Sequence, residues 1–88
     1  MARFELFDEN RAMIGGKAEA DALCEMGLCY ATGRSVAVDL VAAHKWFNIA
    51  AVKGSDRASE LRTDIAAMMT KSDLARALRA AREWMTVH

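Results

Sequence analysis

The imidazole of His44 and the thiols of Cys24 and Cys29 are the groups here that could do chemistry near neutral pH. A catalytic imidazole needs a nucleophile or an acid within hydrogen-bond reach, plus a group that orients it. His44 is the only internal histidine and stands beside Lys45 at the start of an apolar-striped segment. No Ser-His-acid set, glycine-rich phosphate loop or carboxylate pair accompanies it, so it reads as a solvated or edge-packed imidazole. Cys24 and Cys29 are five residues apart, about 140° around a helix, where they cannot bridge each other. They fit no metal-ligand spacing and read as small buried hydrophobes in a reducing cytoplasm. Neither catalysis, a cofactor nor a metal is expected.

Two further sets of residues could make contacts. Arg76, Arg79 and Arg82 recur every third position and drift about 60° around a helix per step. They could meet an acidic partner or RNA, but Asp73, Glu83 and a formal net charge of zero favour a solvated face with local ion pairs. The six methionines could supply an adaptable surface, although filling a core is their commoner use.

The elements that must position these groups are helices. The chain has no proline, 53% hydrophobic and 27% charged residues, the balance of a small folded domain with strong helix formers. Zero net charge gives no pull toward nucleic acid. No apolar run approaches the roughly 18 residues that span a bilayer, so membrane insertion is not expected. Glu5, Asp8 and Glu9 occupy the place of a secretory leader's apolar stretch, which points to the cytoplasm.

Asp39 should cap a helix in which Ala43, Trp46, Phe47 and Ala50 share one face, closed by Gly54. Upstream, Ala20, Leu23, Met26, Gly27 and Tyr30 stripe a helix over 17–32 that ends at Gly33. Gly27, costly inside a helix by about 1 kcal/mol, predicts close approach of its partner. In the intervening turn Val36 should point inward and plug the hairpin. A third helix over 56–69 should bury Ala58, Leu61, Ile65, and Met68 or Met69. Thr70 to Asp73 has the form of a capping box, opening a fourth helix over 71–86 that buries Leu74, Ala77, Leu78, Ala81, Trp84 and Met85. In residues 1–16, Asp8 could cap a short helix through Ile14, broken by Gly15-Gly16, and this segment reads as a lid over one end of the stack.

A shift of 38 residues places Leu23 on Leu61, Leu40 on Leu78, Ala42-Ala43 on Ala80-Ala81 and Trp46 on Trp84. The chain therefore reads as two copies of one helical pair, the second degenerate as terminal copies are. Met26-Gly27, Tyr30, Gly33, Val36, Asp39, Ala43, Trp46-Phe47, Ala50-Ala51, Gly54 and Ala58 resemble the Sel-one-like repeat, a branch of the tetratricopeptide repeat superfamily. Ser35 departs from the pattern, standing where the family usually has a second glycine. Residues 58–84 resemble the helices that cap such arrays.

The resemblance implies an all-α superhelix of two antiparallel helix pairs over residues 17–88, with a short N-terminal helix. It also implies a non-catalytic adaptor or scaffold of the kind used in bacterial signalling and eukaryotic quality control. Partners of such modules lie along the concave face, lined by the first helix of each pair. Here that face would carry Asp21, Cys24, Leu28 and Ala31, joined under the 38-residue shift by Ser59, Arg62, Ala66 and Met69. An apolar floor between two charged anchors, Asp21 and Arg62, suits a peptide or amphipathic helix. The alternative is a homodimer joined through the same groove, because a stable stack normally needs about three repeats.

Overall fold

The computed structural model describes residues 11–87, with side chains from residue 18 onward. Four helices follow in order: α1 (Arg11–Thr32), α2 (Leu40–Val52), α3 (Asp56–Ala66) and α4 (Lys71–Val87). The fold is all-α. The lid expected of the first residues lies mostly outside the described residues. The break expected at Gly15-Gly16 does not occur, since α1 runs through both glycines. Glycine weakens a helix but keeps its N–H donor, so without proline the backbone ladder can continue.

Local chemistry sets the ends of α1 and α2. At the end of α1, Gly33 takes a φ of 78°, and the N–H groups of Gly33 and Arg34 both donate to the Cys29 carbonyl at 2.8 and 3.0 Å. That left-handed close satisfies a carbonyl the helix would otherwise leave bare. The Asp39 N–H then donates to the Tyr30 carbonyl at 3.0 Å, folding the turn back onto α1. The Asp39 carboxylate accepts from the Ala42 N–H at 3.0 Å and caps α2. Gly54, at φ 114°, closes α2 with paired bonds: its N–H reaches the Ala51 carbonyl at 3.1 Å, and that of Ser55 reaches Ala50 at 2.9 Å.

Ser35 also has a positive φ, 71°, within this first turn. A side chain there costs about 1–2 kcal/mol of local strain. Ser35→Gly is therefore expected to stabilise the domain by about 0.5–1 kcal/mol after the added freedom of the unfolded chain is deducted. A urea midpoint no higher than that of the parent would show the turn to be unstrained. Val36, expected to plug the hairpin, instead lies 38% exposed. Val38 leans over Gly33, with its Cγ2 only 3.0 Å from where a β-carbon would stand.

α3 begins at Ser55, whose hydroxyl accepts from the Ala58 N–H at 3.0 Å within the core. It stops at Ala66, short of residue 69, because the next N–H groups turn to carbonyls three residues back: Met68 to Ile65 and Met69 to Ala66. That tightening sends Met68 outward, 68% exposed, while Met69 packs on the core. At the start of α4 the Thr70 hydroxyl accepts from the Asp73 N–H at 3.0 Å, and the Asp73 carboxylate accepts from Arg76 at 3.2 Å.

The centre of the molecule is α2. It packs on α1, α3 and α4, while α3 and α4 make little contact with each other. Ala43, Phe47 and Ala50 are buried as the stripe predicts, and so are His44 and Ile49, which lie off that stripe. A helix with three neighbours buries more than one stripe. On α4 the small side chains Ala77 and Ala81 are fully buried, which lets its backbone approach the core closely. The Trp46 and Trp84 rings meet edge to face, with centroids 5.5 Å apart and planes at 76°. The two tryptophans matched by the 38-residue shift thus touch.

Candidate functional site

The divergence of α3 from α4 leaves an open cavity of about 300 Å³ over α2. Each helix contributes residues spaced four apart, which fall on one face of a helix: His44 and Asn48 from α2, Arg62 and Ala66 from α3, Leu74 and Leu78 from α4, with Thr63 beside them. One wall is apolar and the other polar.

Arg62 organises the polar wall. Its half-buried guanidinium donates to Asn48 Oδ1 at 2.6 Å and, at a long 3.4 Å, to Ser59 Oγ. The Thr63 hydroxyl turns back to donate to the Ser59 carbonyl at 3.2 Å. His44 is only 3% exposed, and its Nδ1 is shut off from solvent without a hydrogen-bond partner. Of the two states expected from the sequence, solvated or edge-packed, the imidazole is packed, buried at the cavity's edge. Burial pushes its pKa below the usual value, and the positive charge of Arg62 adds to the effect.

This shift has a sign in stability. Between its ordinary pKa of about 6.5 and its lower folded value, the unfolded chain takes up a proton that the folded one refuses, so stability falls as pH drops through that window. The urea midpoint is expected to fall more between pH 7.5 and pH 5.0 in the parent than in His44→Leu. Equal losses in the two proteins would show that His44 does not carry this pH dependence.

The apolar wall is Ala66, Leu74 and Leu78. Leu78 was expected in the core, but it is 41% exposed at the edge of the cavity. α4 turns Ala77 and Ala81 toward α2 instead, and Leu78 sits beside that seam.

The eight residues expected on the concave face do not come together as one surface. Cys24 is 2% exposed and belongs to the core, where no partner can touch it. α1 touches α3 as well as α2, which widens the covered part of α1 beyond its apolar stripe. Asp21 is exposed on α1, whereas Leu28, Ala31 and Met69 are half-buried against the core. Of the eight, Arg62 and Ala66 line the cavity, and Ser59 accepts from Arg62. His44, Asn48, Thr63, Leu74 and Leu78 were not foreseen there. Their signal in the sequence is the four-residue spacing within each helix, which does not say that three helices converge.

The remaining charged groups sit at the surface. Glu25 on α1 pairs with Arg34 at 3.2 Å and with Arg57 on α3 at 3.3 Å, and Glu19 pairs with Lys53 at 3.7 Å. Such exposed pairs contribute little stability each. On α4, Arg76 pairs with Asp73, and Arg79 and Arg82 are exposed. Both cysteines are free thiols. Among the described residues no cluster of three or more His, Cys, Asp or Glu could hold a metal ion, and no helix is long and apolar enough to cross a membrane. No protein family, curated protein or solved structure matched this chain when compared with it.

Proposed function

We propose that this chain is a non-catalytic protein-interaction module, an adaptor of the Sel-one-like repeat kind, and that its partner segment docks at the cavity over α2. The observation that carries this reading is the open cavity itself, with exposed Leu78 and half-buried Leu74 facing Arg62 and Asn48. Apolar area next to a few fixed polar groups is the usual make-up of a recognition site. The site thus moves from a face shared by α1 and α3 to the gap between α3 and α4, with Arg62 kept as its charged anchor and Ala66 beside it. Two free thiols suit a reducing cytoplasm, and zero net charge weighs against nucleic acid as the partner.

Affinity capture on immobilised parent and Leu78→Asp proteins tests the reading. Leu78 is exposed enough for a carboxylate to leave the fold intact, whereas Leu28 packs on the core and a charge there would cost stability as well. A partner held by the parent, lost by Leu78→Asp and rebinding as a purified protein is the expected result. The same partners on both columns would remove the cavity from the binding surface. Self-association through this surface is the second reading, favoured by zero net charge and by the exposed Leu78 and Met68. Light scattering separates the two: a parental dimer that Leu78→Asp dissociates means self-association, and a monomer at all concentrations means a different partner.

A further inference from the structure

The polar wall of the cavity is rich in donors and poor in acceptors. A guanidinium has five N–H donors. Arg62 spends two of them on Asn48 and Ser59, leaving three. Asn48 gives its oxygen to Arg62, so what it has left to offer is its amide N–H₂ group. The Thr63 hydroxyl has committed its proton to the Ser59 carbonyl. No carboxylate lines the cavity, and no described carboxylate forms an ion pair with Arg62. A half-buried cation with spare donors and no counter-charge is a costly arrangement that an anion relieves. The buried His44, its Nδ1 unpartnered, is a second polar group on the same wall left unsatisfied.

The opposite wall, Leu74 and Leu78, calls for an apolar group within a side chain's reach of that anion. A cavity of about 300 Å³ lies at the lower end of ligand-pocket sizes. It accommodates side chains and not a whole helix, and its open mouth admits a chain that passes across it.

We infer that the cavity over α2 binds a partner peptide through an acidic side chain, held by Arg62 and Asn48, with a neighbouring apolar residue of that peptide seated on Leu74 and Leu78. This rests on the interaction-module reading and names the chemistry of the partner. An ionised acceptor forms shorter and stronger hydrogen bonds to a guanidinium than a neutral amide does, so charge is what the site selects. Binding should also weaken as salt rises.

The test is titration of the full chain with acetyl-Gly-Leu-Glu-Leu-Gly-amide and with its Gln counterpart, followed by calorimetry and by the ring-proton resonances of His44. The expected result is at least tenfold tighter binding of the Glu peptide, a shift of the His44 resonances, and loss of the preference in Arg62→Gln. Arg62→Lys should keep part of it, because the charge remains and the fork is gone. Thermal midpoints of the variants guard against a folding defect.

Equal binding of both peptides, abolished by Leu78→Ser, would overturn the acidic-residue inference and leave the cavity as a docking site. Binding of neither peptide at millimolar concentration would overturn the inference and the docking site together. Acetyl-leucine as a free acid binding as tightly as the Glu peptide would make this a site for small acids, and the peptide would be the wrong occupant.

Discussion

Gly27→Leu is expected to abolish cooperative folding. A β-carbon built at Gly27 would stand 2.5 Å from Cδ1 and Cε1 of Phe47 and 3.1 Å from Cγ. Phe47 is 1% exposed, so its ring cannot swing away without displacing the core around it. α1 and α2 share the largest interface in the molecule, and leucine would add three more carbons beyond the one already in conflict. Overpacking typically costs about 1–3 kcal/mol where side chains can adjust, and more where two helices must separate. A domain of 88 residues has roughly 4–13 kcal/mol in hand. Loss of the near-ultraviolet aromatic signal and of a sigmoidal thermal transition is the predicted readout. Gly27→Ala should lose about 1–2 kcal/mol, since helix propensity returns about 1 kcal/mol. Phe47→Leu shortens the obstructing ring, so the two changes together should cost less than their sum. A Gly27→Leu protein with an unchanged thermal midpoint would refute the close-contact argument.

What could be read from the sequence is what depends on neighbours two to six residues away. Asp39 capping α2, Gly54 closing it and Thr70 opening α4 are each decided by a side chain or a φ value within one turn of the helix end. Gly27 is a longer inference, yet it too follows from one local oddity, a glycine in an otherwise favourable helix. The glycine pair in α1 went the other way, because two weak residues in a long helix need not stop it. The φ of 71° at Ser35 is likewise a property of its own turn, one that favours glycine.

The candidate site was legible at two residues, Arg62 and Ala66. A stripe assigns each helix a single covered face, which suffices for a helix with one neighbour. α2 has three neighbours, so His44 and Ile49, which lie off the stripe, are buried as well. α1 has two, so Cys24 lies in the core and not on a groove. The stripe of α4 likewise places Leu78 in the core beside Ala77 and Ala81. Half-buried Leu40 has its counterpart in Leu78, which is 41% exposed because α4 turns Ala77 and Ala81 inward instead. Which helices diverge is a property of the whole packing, and it is there that the cavity arises.

Trp46→Ala should cost about 3 kcal/mol. Removing a tryptophan from a core costs about 3–5 kcal/mol, and Trp46 is half-buried against the core cluster, so the lower end applies. Part of the loss belongs to the pair with Trp84, whose edge-to-face geometry at 5.5 Å is worth about 0.5–1.5 kcal/mol beyond area burial. Lys45, half-buried like Trp46, adds a cation–π contact with its Nζ 4.3 Å from the centre of that ring. Urea unfolding of Trp46→Ala, Trp84→Ala and the double variant separates these terms, since the coupling energy isolates the ring pair. The pair joins α2 to the last turns of α4, where the buried residues are the small Ala77 and Ala81. Loss of either ring should therefore loosen α4 first, seen as faster amide exchange there than in α1. A cost below 1 kcal/mol for Trp46→Ala would mean that α4 is held by its alanine seam alone, and Trp46 would then be free to serve as a surface anchor.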